Sequence, residues 1–266
     1  MRTTDAILLA LAAGVAAFAV MLLDRHDPLA TPVVLAQHIA AMILTVFLIA
    51  LWRPSKAPLA ATFAVAYAIM VANIHIELAF FMDVAPDQRA AMLGIATMHC
   101  ALAVGLARLA SPRGGDAPTV AEWTARGVAN WILRIAAAAF VYVALYVVIG
   151  AAFYTYTMPY YEKVAGLALQ VPDIATVLSV QIARGAVYAL AALVFALTTP
   201  RAQRPTLIAM ALFAGLGGIA PLLANTDWPL ELRIAHAVEI LLQNATFAAI
   251  ALMLLKTRPI ESRAQT

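Results

Sequence analysis

The stretch RIAHAVEILLQN, residues 233–244, places His236, Glu239, Gln243 and Asn244 in a run whose other members after Arg233 are Ile, Leu, Val and Ala. His236, Glu239 and Gln243 follow an i, i+3, i+7 pattern, which is one face of a helix. Gln181, Arg184 and Tyr188 repeat that spacing in a second apolar run. These residue types suit the recognition of a small polar or anionic solute. A guanidinium holds an anion, a carboxylate beside an imidazole binds or relays protons, and amides orient what is bound. The alternative is a structural ion pair that sets helix register. An arginine in hydrocarbon costs on the order of a few kcal/mol unless paired or hydrated. Glu239, at similar depth and of opposite charge, is therefore the expected partner of Arg184, with Glu77 next in line.

A second set consists of His38, His75 and His99, on three further apolar runs. They could ligate a metal ion or a haem, or be three separate histidines bonded to carbonyls or interfacial water. Asn73 and Glu77 share a face at i, i+4, whereas His75 lies on another, because two residues turn a helix by about 200°. HxxE at 236–239 lacks the second histidine of a zinc protease motif and the second carboxylate set of a di-iron bundle. No Walker loop, GxGxxG, EF-hand or Ser/His/Asp order appears, and an enzymatic activity is neither indicated nor excluded.

The elements that must carry these residues are membrane spans. Of 266 residues, 64% are hydrophobic and 12% charged, with a mean hydropathy of +0.90. A soluble domain is nearer half apolar and a quarter charged. Eight segments approach the roughly 20 residues that a crossing needs: 5–23, 33–52, 58–82, 89–110, 128–153, 175–199, 205–224 and 232–255. The expected fold is an all-α polytopic integral membrane protein. Residues 1–110 and 128–266 would form two parallel four-helix halves, joined by a loop and interfacial segment over 111–127. VLAQHIA (34–40) and VLSVQIA (177–183) support that division, since both open the second span of a half and align His38 with Gln181. Residues 1–23 also have the outline of a secretory signal, with Arg2 and Ala17-Phe18-Ala19, but the apolar stretch is long enough to span and is read as a retained helix.

One cysteine, Cys100, forbids an internal disulfide. No basic run with interleaved aromatics points to nucleic acid. The expected partners are the bilayer, a small solute and another membrane protein. The Ala- and Arg-rich usage suggests a bacterial inner membrane. Two other functions stand beside solute binding or transport: a haem- or metal-dependent redox enzyme using His38, His75 and His99, and a non-catalytic accessory subunit. Eight helices in two fours, with histidines on the second and fourth, are similar in architecture to the haem A synthase and copper-resistance membrane families. Haem A synthase would also carry a histidine on the sixth helix and a Glu-Tyr-x-x-His motif; this chain has Gln181 and no such motif. Membrane alkaline ceramidases would call for HxxxH near the C-terminus, where this chain has HxxE.

Sorting the 17 Lys and Arg assigns 11 to one side (Arg2, Arg53, Lys56, Arg108, Arg113, Arg126, Arg201, Arg204, Lys256, Arg258, Arg263) and four to the other (Arg25, Arg89, Lys163, Arg233), leaving Arg134 and Arg184. The positive-inside rule then puts both termini in the cytoplasm and the polar stripes in the periplasmic half. Reporter fusions should find the C-terminus cytoplasmic; a periplasmic C-terminus would put the polar stripes in the cytoplasmic half instead.

Overall fold

The computed structural model describes residues 32–52, 59–110, 127–163, 172–199, 204–224 and 228–255. Among them seven helices are long and apolar enough to cross a membrane, and no strand runs through the bundle. They are α1 (Pro32–Trp52), α2 (Leu59–Phe81), α3 (Pro86–Ala110), α4 (Val128–Lys163), α5 (Ile174–Thr198), α6 (Pro205–Ala224) and α7 (Leu230–Leu255). They correspond to the second through eighth expected spans. The expected span over 5–23 lies outside the described residues, as does the loop over 111–126. The chain is an all-α polytopic membrane protein. Large apolar side chains point outward, as lipid contact requires: on α4, Phe140 is 71% and Val148 68% exposed.

The fifth span runs further than expected. The expected span ends at 153, yet α4 continues to Lys163 with Pro159 inside it. Tyr154 and Tyr156 are therefore exposed positions on a helix end. Proline lacks the N–H that would bond the carbonyl one turn below, but it does not stop the helix here.

The ends of the bundle are called upper and lower here, α1, α3, α5 and α7 starting at the upper end and the other three at the lower. Helix ends leave backbone groups without intrahelical partners. Asp173 caps α5, accepting from the Thr176 N–H at 2.9 Å and from its hydroxyl at 2.9 Å. Those two donors hold the exposed Asp173 carboxyl below the usual carboxylate range. At the end of α6, Arg233 donates to the carbonyls of Leu222 and Leu223 at 3.0 and 3.3 Å. At the end of α7, the Leu254 carbonyl accepts from Arg134. Lower down, Trp52 stacks on Phe195 with ring centres 5.1 Å apart and donates to the Thr199 hydroxyl at 2.9 Å.

α5 packs against α2, α4 and α7, and α7 against α4, α5 and α6; α1 packs against α3 and α6. Two helices are locally unwound into π turns, α2 at Ala68–Ala72 and α6 at Gly215–Ile219, and these turns touch each other. In the first, the Asn73 N–H bonds to the Ala68 carbonyl, five residues back. One extra residue in a turn rotates everything beyond it by about 100°. Asn73 and Glu77 follow immediately and owe their facing to this turn.

α4 and α5 approach closely at Gly185, where a Cβ would lie 2.7 Å from the Ala139 carbonyl oxygen and 3.3 Å from the Tyr142 Cβ. Gly185→Ala should therefore push α4 away and cost about 1–3 kcal/mol. Gly105→Ala on α3, where a Cβ meets nothing within 4 Å, should instead stabilise by about 0.5–1 kcal/mol through backbone entropy. Thermal unfolding in detergent reads both; equal effects would show that Gly185 does not set the helix spacing.

Candidate functional site

Arg184 lies about ten residues, or about 15 Å, below the upper end of α5. It is 7% exposed, and its bonding groups are largely taken up. Nε donates to Asn73 Oδ1 at 3.0 Å, and Nη1 donates to Gln181 Oε1 at 3.0 Å. Nη1 also pairs with Glu77 Oε1 at 2.7 Å. Nη2 takes part in none of these contacts. The guanidinium carbon stands 5.7 Å from the centre of the Tyr142 ring.

The partner of Arg184 is thus Glu77, and the expected pairing with Glu239 is corrected. Helical side chains lean toward the helix N-terminus. α5 starts at the upper end, so Arg184 leans up past Gln181, one turn above it. α2 starts at the lower end, so Glu77 leans down, and the two meet head-on. Glu239 sits on α7, which runs parallel to α5, and leans up as Arg184 does. It meets His236 of its own helix, with Nδ1 to Oε2 at 3.0 Å. The Glu239 carboxylate is turned toward α4, where a Cβ on Gly150 would lie 3.5 Å from its Oε1, so the rotation of α7 and not depth separates it from Arg184.

Around this pair lies a set of polar groups without partners. The amide nitrogens of Asn73, Gln181 and Gln243 and the Tyr142 hydroxyl are buried and have no hydrogen-bond partner among the described residues. The Tyr142 hydroxyl lies beside the Asn73 and Gln243 amides but makes no bond of normal geometry with either. Arginine only donates, so Asn73 and Gln181 must turn their oxygens toward Arg184. Their NH2 groups then necessarily face away as donors. Buried donors of this kind cost about 1–3 kcal/mol each when left unmatched, and native proteins keep few.

The other half of the stripe is close by. Tyr146 on α4 lies within electrostatic reach of Glu77, Arg184 and Glu239. Gly150, one turn above Tyr146, has no side chain where Glu239 Oε1 approaches; a Cβ there would be 3.5 Å away. Trp228 covers His236 with ring centres 5.3 Å apart.

Of the seven residues expected to bind solute, Arg184 and Gln181 share one hydrogen-bonded centre and Glu239 and His236 form a second pair. Gln243 lies beside Tyr142. Asn244 and Tyr188 do different work. Asn244 Nδ2 donates to the Tyr188 hydroxyl at 3.3 Å and to the Phe213 carbonyl at 3.1 Å. That carbonyl lies two residues before the π turn of α6, and Gly217 within the turn leaves the space both polar groups occupy, since a Cβ there would be 2.8 Å from Asn244 Nδ2. Tyr188 also packs edge-on against Tyr142 at 5.1 Å and Phe213 at 5.2 Å. These two residues brace the floor of the site. Asn73 and Tyr142 are members the sequence reading did not select as site residues, although Asn73 was visible at i, i+4 from Glu77.

The histidines expected to hold a metal or haem do not form a trio. Among the described residues no group of three or more His, Cys, Asp or Glu is placed to hold a metal ion. His38 and His99 lie within electrostatic reach of each other on the packed pair α1 and α3. His75 Nδ1 instead lies 2.9 Å from the Val71 carbonyl of its own helix, on a face set by the π turn.

A double-mutant cycle separates the two acidic partners. Glu77→Ala strands a buried cation and should cost about 2–3 kcal/mol, less than a fully buried pair because Glu77 is a third exposed. Combined with Arg184→Gln it should show strong coupling, whereas Glu239→Ala and Arg184→Gln should add within about 0.5 kcal/mol. Coupling in the second cycle and not the first would reverse the assignment.

Compared with known protein families, characterised proteins and solved structures, the chain shows no significant match.

Proposed function

We propose that the protein is a solute-binding membrane protein whose site lies between α2, α4, α5 and α7, and that the solute offers hydrogen-bond acceptors to it. The observation that carries this reading is the set of buried, unmatched donors on Asn73, Gln181, Gln243 and Tyr142, one from each of the four helices, in the neighbourhood of Arg184. A purely structural ion pair would be expected to satisfy its own surroundings. With both termini cytoplasmic, the site belongs to the periplasmic half of a bacterial inner membrane, where a small polar solute would be received for recognition or transport. Arg184 acts mainly by fixing the orientation of the amides, and Glu239 with His236 forms the adjoining ionisable pair.

Gln243→Leu tests this by separating stability from binding. Replacing an unmatched buried amide by an apolar group of similar size should stabilise the unliganded protein by about 1–2 kcal/mol, while removing a ligand contact. Acceptor-rich solutes that raise the thermal midpoint of the wild type should then lose much of that effect on the variant. A Gln243→Leu protein that is less stable, with the same response to every solute, would refute the proposal. A Soret band in the purified protein would favour the other reading, a haem-dependent redox role through the adjoining His38 and His99.

A further inference from the structure

The unmatched donors and the charges of the site point in different directions. Donors alone would suit an anion. Yet the Arg184 charge is already met by Glu77 at 2.7 Å. Glu239 adds a second negative charge, countered only when His236, 3.0 Å away, is protonated. Even then the four groups sum to zero; with His236 neutral they sum to minus one. Tyr142, Tyr146 and Tyr188 on the packed faces of α4 and α5 add hydroxyls and no cation. The described part of α6 carries no titratable side chain. A site with donors in excess and no net positive charge, held in a low-dielectric surrounding, pays heavily for an added unbalanced charge.

We infer that the ligand enters the Arg184 centre without net charge, as a carbonyl oxygen of a neutral molecule or as a carboxylic acid accompanied by its proton. This rests on the reading of the site as solute-binding. The carbonyl oxygen accepts from the free ends of Asn73, Gln181 and Gln243, whose geometry asks for an acceptor and not for a counter-ion. If a carboxylate is the form in solution, one proton enters with it, either on the ligand itself or on Glu77, Glu239 or His236. Arg184 is then a specificity-determining residue through its pairing: Glu77 cancels the charge that would otherwise select anions.

Propionamide and propionate serve as probes, measured by calorimetry on the full-length protein in detergent, in two buffers of different protonation enthalpy. The wild type should bind propionamide with no proton exchange, and propionate only with uptake of about one proton. Glu77→Gln and, independently, Glu239→Gln each remove one negative charge. Each should strengthen propionate binding relative to propionamide binding by about tenfold or more and reduce the linked proton uptake. The second variant keeps the test open should the first fail to fold. Wild-type protein that binds propionate more tightly than propionamide, without taking up a proton, would overturn the inference while leaving the solute-binding reading intact. Failure of both probes on the wild type and on both variants would remove the solute-binding reading and this inference with it.

Discussion

A single cation held inside the bundle governs the architecture around it. An arginine about 15 Å below the end of a membrane helix has to find an anion and several acceptors, or its cost is prohibitive. Arg184 finds all of them within one turn of α5 and one turn of α2: Gln181, Asn73 and Glu77. That solution needs α2 at the right rotation, which the π turn at Ala68–Ala72 provides. It also needs α4 close enough for the Tyr142 ring to cover the guanidinium, which the absent side chain at Gly185 allows. The polar centre, the unwound turn and the small residue are parts of one constraint.

The neighbour relations of the helices are paired in a way that places this centre. α1 packs on α3 and α6, and α5 packs on α7 and α2; α2 lies against α3, and α6 against α7. The two π turns meet between these groups. Each wide turn exposes backbone that a regular helix would bury in its own ladder, and each is followed up by a side chain or a small residue. In α6 the device is Asn244 on the Phe213 carbonyl, with Gly217 making room. In α2 the turn's consequence is the facing of Asn73 and Glu77. π turns are frequent at functional sites because they re-aim side chains without ending the helix, and both turns here do so next to the same polar region.

Below that region the interior is aromatic and apolar. Tyr142, Tyr188, Phe213 and Phe247 contact one another with ring centres 5.1–5.6 Å apart. Further down, Trp52 and Phe195 stack. Such packing is rigid, since buried aromatic side chains have few alternatives at interior density. It supplies a fixed floor against which unmatched donors can be held in place despite their cost. Tyr188 belongs to both layers: its ring is in the aromatic cluster and its hydroxyl accepts from Asn244.

Much of this was legible in the residues themselves. Length and apolar run place six of the seven described spans within a few residues, because a bilayer crossing imposes a length and a composition that local sequence must meet. The i, i+3, i+7 stripes identified α5 and α7 as carriers of polar faces, since helical periodicity is a local property. The continuation of α4 through Pro159 was not legible, because proline removes one bond of the helical ladder and makes a helix end there more frequent without requiring it. The partner of Arg184 was not legible either. Depth along each helix can be counted, but which helices adjoin and which way their side chains lean across the gap depend on the assembled bundle. Glu239 is rotated toward Gly150 of α4, while Arg184 leaning up and Glu77 leaning down on antiparallel helices converge. The same holds for the histidines: their positions along the chain were plain, and only packing brought His38 toward His99 and turned His75 to the Val71 carbonyl. The sequence by itself determined which side chains the membrane interior must accommodate; the tertiary structure decided which of them meet, because meeting depends on helix direction, rotation and neighbour, and none of these is local.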